Sequence, residues 1–208
     1  MKEPFGLYLI LTDPIAGYET CAKAAVDGGV RYLQLRMKGS PHAEVLETAK
    51  RLRQITRGTQ TRFIVNDDLA VAIESDADGI HLGQDDPSLA EARAAWPVPG
   101  KLFGLSTHSM EQAADALKVQ PDYIGVGPVF PTQTKADADP ALGAEETGRI
   151  IQATPITAVA IGGISTDNLP DVLSAGIANY CVVSAVNSAP NPAHAIQHLQ
   201  KIWWDGVF

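Results

Sequence analysis

The chain has 208 residues, 45% of them hydrophobic, and a formal charge of −8. That length bounds it to one ordinary domain or one compact barrel, with apolar material enough for a full core. The acidic balance excludes nucleic-acid binding through a diffuse basic surface, and no stretch approaches the roughly 20 apolar residues that span a bilayer.

Cys21 and Cys181 have no metal-ligand or redox spacing and read as buried thiols of a reducing compartment. No basic segment followed by a long apolar run opens the chain, so a cytoplasmic protein is expected. Leu7–Thr12 is an apolar run closed by Asp13-Pro14, a strand and its turn. A helix follows over Tyr18–Val26 and stops at Gly28-Gly29, and Tyr32–Arg36 is the second strand. Side chains alternate along a strand, so Gln34, Arg36 and, beyond them, Lys38 share a face. His42–Ile55 carries an apolar stripe at helical spacing.

Phe63–Val65 and Gly79–Leu82 are short apolar runs that end in Asn66-Asp67-Asp68 and Gln84-Asp85-Asp86, with a helical stretch between them. Leu89–Ala95 reads as helix, Leu102–Leu105 as strand, Met110–Leu117 as helix and Tyr123–Val126 as strand. A long polar insertion from Gly127 to about Gly143 contains Thr132, Thr134 and Lys135. Long loops of this kind are commonly functional, and its composition predicts a lid over charged substrate. Helix over Ala144–Ala153, strand over Thr157–Ile161, helix over Asn168–Ala175, strand over Tyr180–Val183 and helix over Pro192–Ile202 complete the pattern. Eight strand-then-helix units predict one (β/α)8 TIM barrel over residues 1–208. An open doubly wound sheet is the alternative, weakened because no Gly-x-Gly-x-x-Gly opens the first helix.

In such a barrel the strand ends share one rim. Asp67 and Asp86 deliver two carboxylates there, a hard-oxygen set that suits Mg²⁺. Each also has a structural reading, Asp67 as the opener of a helix and Asp86 as an N-cap before Pro87. Asp68 and Asp85 read as helix-dipole and surface residues. Arg36 and Lys38 place cations at the ligand end of an acidic protein, which suits a polyanion. Gly162-Gly163 and Ser184 follow the seventh and eighth strands, where barrels bind phosphate. His81 and His108 read as core or supporting residues.

Taken together, QLRMK (34–38), VNDD (65–68), HLGQDD (81–86), GLSTH (104–108), VGPVFPTQTK (126–135), AIGGI (160–164) and CVVSA (181–185) resemble the thiamine-phosphate synthase family. The resemblance runs from about Leu7 to Ala195 and implies a transferase of thiamine biosynthesis. Its substrates would be 4-amino-5-hydroxymethyl-2-methylpyrimidine diphosphate and 4-methyl-5-(2-phosphoethyl)thiazole, and its products thiamine phosphate and pyrophosphate. It implies Mg²⁺ on Asp67 and Asp86. Gln34, Arg36, Lys38, Asn66 and Lys135 would meet the pyrimidine or its diphosphate, and Ser106 the pyrimidine pocket. Thr132, Thr134, Gly163, Val183 and Ser184 would hold the thiazole phosphate. Catalytic roles fall to Arg36, Lys38, Ser106 and Lys135.

The chemistry this implies, a pyrimidine-stabilised cation captured by the thiazole nitrogen, needs leaving-group neutralisation and exclusion of water. Partners are small molecules, with no nucleic acid and no membrane; homo-oligomer formation stays open. Asn179-Tyr180-Cys181 departs from the smaller residues usual in the family, and Trp203-Trp204-Asp205 has no family reading. The related thiazole tautomerase shares the barrel, transfers a proton without metal and typically lacks VNDD and the Thr-x-Thr-Lys loop, both present here. A non-catalytic barrel that binds thiazole phosphate or thiamine phosphate would need no leaving-group site.

Overall fold

The computed structural model describes residues 4–134 and 139–207. Strand and helix alternate: β1 Leu7–Leu11, α1 Tyr18–Asp27, β2 Tyr32–Leu35, α2 His42–Thr56, β3 Arg62–Asn66, α3 Leu69–Glu74, β4 Gly79–Leu82 and α4 Leu89–Ala95. The second half runs β5 Leu102–Thr107, α5 Met110–Ala116, a 3-10 turn Leu117–Val119, β6 Tyr123–Val126, α6 Ala144–Ala153, β7 Thr157–Ala160, α7 Leu169–Ser174, β8 Tyr180–Val182, α8 Ser184–Asn187 and α9 Pro192–Val207. The strands are parallel and close in chain order, so the fold is a (β/α)8 barrel.

Two residue periods build it. Leu7, Leu9, Leu11, Leu33, Leu35, Phe63, Val65, Ile80 and Leu82 point outward and are buried under the helices. Residues at the alternate strand positions, Tyr8, Ile10, Ile64, Tyr123, Val159 and Cys181, fill the lumen. Burial on both faces is what parallel barrel strands require.

The residues just before alternate strands act as clamps at the amino-terminal rim. Asp78 precedes β4 and accepts from Phe63 N of β3 at 2.9 Å, and Asp122 precedes β6 and accepts from Phe103 N of β5 at 2.8 Å. Asn179 precedes β8 and its Oδ1 accepts from Phe5 N at 2.8 Å, beside the start of β1. Each satisfies a strand-end donor that would otherwise lose its partner. Asp78 also faces Arg53 and Arg62, which balance its buried charge. The departure at Asn179-Tyr180-Cys181 thus has a structural use: Tyr180 is buried and donates to Leu199 O at 3.2 Å, joining β8 to α9.

The structure extends the sequence reading at a few places. β5 continues to Thr107, the four-residue α8 follows β8, and α9 continues through Trp203 and Trp204. Trp203 packs beneath Gly6, where a side chain would lie 3.0 Å from the indole, and donates from Nε1 to Ala178 O at 2.7 Å. The root of the polar insertion is pinned: Val129 is buried, its N donates to Ile161 O, and Gly143 N donates to Val129 O. Lys135, and with it the centre of the expected lid, lies outside the described residues.

Candidate active site at the carboxyl ends of the strands

A cavity of about 500 Å³ opens at the carboxyl ends of the strands. Gln34, Arg36, Lys38, Asn66, Asp67, Asp86, Ser106, Thr132, Thr134, Gly163, Val183 and Ser184 all line it. Of the residues singled out from the sequence, the structure therefore brings together every one that it describes.

Asp67 and Asp86 stand free of helix capping. The N-cap of α3 is Asp68, whose Oδ1 accepts from Val71 N at 2.9 Å. The N-cap of α4 is Ser88, paired with Glu91 in a capping box. Both caps lie further along the chain than the sequence suggested, which corrects the structural readings of Asp67 and Asp86, while Asp68, read as a helix-dipole residue, is the cap itself. Asp67 sits at φ 60, a left-handed conformation rare outside glycine, and its N donates to His81 O at 2.9 Å. Asp86 turns back within its loop to accept from Gly83 N at 2.6 Å. Burial, and beyond it the adjacent Asp86 carboxylate, hold the Asp67 carboxyl above its usual range, against the opposing pull of Lys38. Lys38 Nζ is ion-paired with Asp67 Oδ2. Arg36 Nη1 reaches Thr134 O at 3.5 Å and so links this wall to the insertion.

The opposite wall lies where the sheet is least knit, since β7 and β8 share one register pair, Ala160↔Tyr180. Past that seam, Gly162 and Gly163 adopt φ 103 and 66. A Cβ on Gly162 would fall 2.5 Å from Pro128 Cβ, and one on Gly163 would fall 2.8 Å from Pro131 O. Any larger residue would strain the backbone and fill the approach, so substitution here tests packing as much as anion binding. Asn187 secures the facing turn: its Nδ2 donates to Ile10 O and Val183 O at 2.7 Å, and its Oδ1 accepts from Thr12 N at 3.1 Å. Sequence reasoning missed Asn187; an Asn three residues past Ser184 was its only signal, and its burial appears only in the structure.

On the floor, sequence reasoning named Gln34 and Ser106 but missed Tyr8 and Tyr123, which join them. Gln34 Nε2 donates to Tyr8 Oη at 2.8 Å, while Gln34 Oε1 is buried without a partner among the described residues. Tyr8 Oη lies 2.9 Å from Tyr123 Oη, which lies 3.1 Å from His81 Nδ1. His81 Nε2 lies 2.9 Å from Ser106 Oγ. Burial lowers the His81 pKa to about 4, opposed by Asp86, so the ring is neutral at physiological pH. His108 lines the cavity with Nδ1 2.7 Å from Gly127 O. Burial pushes the Cys181 thiol far up, so this lumen sulfur stays protonated and unreactive.

A closed barrel with a polar cavity at its carboxyl rim, an acidic pair and cations on one wall and a glycine turn on the other, defines a barrel enzyme for small charged molecules. The family model described as thiamine monophosphate synthase matches residues 7–186. The chain belongs to that family. Thiamine-phosphate synthase of Methanospirillum hungatei is 42% identical over 193 residues, covering 91% of this chain and 93% of its own. That of Archaeoglobus fulgidus is 40% identical over 204 residues, covering 97% and 95%. The solved thiamine phosphate pyrophosphorylase of Pyrococcus furiosus superposes with a TM-score of 0.87 at 35% identity, covering 98% of both chains. A 3-hexulose-6-phosphate synthase of Salmonella typhimurium shares the fold alone, with a TM-score of 0.74 at 14% identity.

Proposed function

We propose that this cavity joins 4-amino-5-hydroxymethyl-2-methylpyrimidine diphosphate to 4-methyl-5-(2-phosphoethyl)thiazole, with release of pyrophosphate. The observation that carries this reading is the pairing of Asp67 and Asp86 beside Lys38 and Arg36 on one wall, separate from the glycine turn. A binder of a single phosphate has no use for both walls. The family is a transferase family of thiamine biosynthesis, and the residues are apt for its chemistry.

The donor set fits Mg²⁺. Among the described residues no group of three or more His, Cys, Asp or Glu side chains converges. Mg²⁺ commonly takes only one or two carboxylates and completes its shell with water and substrate phosphates. Asp67 and Asp86 would hold it, with the Asn66 amide beside them. Bound there, the ion would neutralise charge on the departing diphosphate.

The chain's own residues do the rest. Arg36 and Lys38 take up charge on the diphosphate as the methylene carbon–oxygen bond breaks and its electron pair leaves with that oxygen. The lone pair of the thiazole nitrogen then forms the new carbon–nitrogen bond. Gln34 and Ser106 orient the pyrimidine, and Thr132, Thr134, Gly163, Val183 and Ser184 orient the thiazole phosphate. Burial keeps Cys181 protonated, so no thiolate competes for the cation. His81 has both ring nitrogens engaged and a pKa of about 4, so it is poorly suited to proton transfer of the tautomerase kind.

No helix among the described residues is long and apolar enough to cross a membrane. A cytoplasmic setting suits a biosynthetic enzyme whose substrates are small phosphates. The test is to mix the purified protein with both substrates and Mg²⁺ and to follow thiamine phosphate and pyrophosphate by chromatography. Equal amounts of the two products, both abolished by a chelator, are expected; no thiamine phosphate would overturn the reading.

A further inference from the structure

The polar chain across the barrel floor has a direction. Tyr8 is buried, and its two partners among the described residues are Gln34 Nε2, which can only donate, and Tyr123 Oη. The buried Tyr8 proton therefore goes to Tyr123. Tyr123, having accepted, gives its own proton to His81 Nδ1. His81 Nδ1, as the acceptor of that bond, carries no proton, so the ring proton sits on Nε2 and is donated to Ser106 Oγ. The two ends are defined by this order. Gln34 presents a buried acceptor, Oε1, with no partner among the described residues, and Ser106, having accepted from His81, keeps its own proton to give; both residues line the cavity. The link between Tyr123 and His81 depends on Gly104, because a Cβ there would fall 2.5 Å from Tyr123 Oη and 2.6 Å from His81 Nδ1.

We infer that Tyr8, Tyr123 and His81 are positioning residues that fix the polarity of Gln34 and Ser106, and so select an amino-substituted pyrimidine over its 4-oxo counterpart. The inference rests on the reaction proposed above. An exocyclic amino group gives a proton to Gln34 Oε1, whereas an oxo group sets lone pair against lone pair. Turning the Gln34 amide to suit the oxo ring would require every bond in the chain to reverse, including the His81 tautomer. Reversal is therefore collective, and one tyrosine hydroxyl can break it. Without the Tyr123 hydroxyl, the Tyr8 proton has Gln34 Oε1 as its remaining acceptor, and the amide turns its NH₂ toward the substrate.

The experiment measures kcat/KM for the 4-amino and 4-oxo pyrimidine diphosphates, each with thiazole phosphate and Mg²⁺, in wild type, Tyr123→Phe and Tyr8→Phe. In parallel, ¹⁵N-imidazole spectra of the same proteins report the His81 tautomer, assigned by its loss in His81→Asn. Wild type should prefer the amino substrate by at least a hundredfold and carry the proton on Nε2. Tyr123→Phe should cut that preference at least tenfold and mix the tautomers, with KM for thiazole phosphate within twofold of wild type. If Tyr123→Phe does not fold, Tyr8→Phe, which frees the Gln34 amide, should give the same loss of preference. An unchanged preference in the folded variant, or a His81 proton on Nδ1 in wild type, overturns the inference. A wild type that makes no product from the amino substrate overturns the proposed reaction instead, and the tautomer still reports on the chain.

Discussion

Lys38 Nζ is ion-paired with the Asp67 carboxylate, and that carboxylate stands directly against Asp86. The cation and both carboxylates assigned to the diphosphate end of the reaction are thus already in one cluster. Asp67 is less exposed than Lys38, 23% against 59%, so the anion is the fixed partner and the lysine the one that can turn to substrate. With the caps supplied by Asp68 and Ser88, neither Asp67 nor Asp86 is spent on starting a helix.

Asp67→Asn and Asp86→Asn should each lower turnover by about a hundredfold or more while leaving the protein folded, because an amide keeps the shape and removes the anion. Asn also tolerates the left-handed backbone of position 67 and can still accept from Gly83 N at position 86. Steady-state kinetics across a Mg²⁺ titration, with circular dichroism as the control for folding, checks this. Full activity in the folded fraction of both variants would remove these residues from the metal site.

The raised pKa of Asp67 has a consequence for stability. A carboxyl of this kind favours the folded state while protonated; that contribution is complete below the ordinary carboxylate value and is lost as pH rises through the folded one. At neutral pH the charged group therefore costs stability, and Asp67→Asn should raise the melting temperature in EDTA by about 2–4 °C. The difference should shrink as pH falls into the carboxylate range. Thermal melts at pH 7 and pH 4 decide it, and a less stable Asn variant at pH 7 would contradict the electrostatics described here.

The two walls should separate in binding. Lys38→Ala should raise KM for the pyrimidine diphosphate about tenfold and leave that for the thiazole phosphate within threefold, since it deletes one charge-assisted contact. Ser184→Ala should do the reverse. Asn187→Ala should follow Ser184→Ala in direction and also lower the melting temperature, because it releases both Ile10 O and Val183 O and leaves Thr12 N without its side-chain acceptor. Substrate titrations on each variant provide the comparison, and equal weakening of both substrates would merge the two sites into one.

At the other rim, Asp78→Ala should destabilise the barrel by about 2–4 kcal/mol, because it strips Phe63 N of its acceptor and leaves the largely buried Arg53 with one carboxylate fewer. Activity of the folded fraction should be intact, as Asp78 does not border the cavity. Denaturant unfolding gives the magnitude. A loss of less than about 0.5 kcal/mol, the range of an ordinary surface substitution, would show the clamp to be dispensable.

Strand and helix order, the shared face of Gln34, Arg36 and Lys38, and the rim positions of Asp67, Asp86, Gly163 and Ser184 were readable along the chain, whereas Ser106 and Val183 came only with the family resemblance. The reason is that the readable features depend on short-range periods, two residues for a strand and three to four for a helix, and on the rule that parallel strand ends share one face. Even Asp67 and Asp86 could be assigned to one rim from their strands alone, though not freed from capping, which turned on which neighbouring side chain reached the helix amides first. Only closure of the barrel decided the floor. Tyr8 and Tyr123 lie 115 residues apart, Gln34 and Tyr8 lie 26 apart, and nothing in the local sequence of either tyrosine marks a hydroxyl that must find its partner across the lumen. Gly104 shows the same limit, since its missing side chain matters only because Tyr123 and His81 arrive in the space it leaves. Hydrogen bonds made across a closed sheet are properties of the fold, because the dry lumen forces each buried proton onto whichever acceptor the opposite strand delivers.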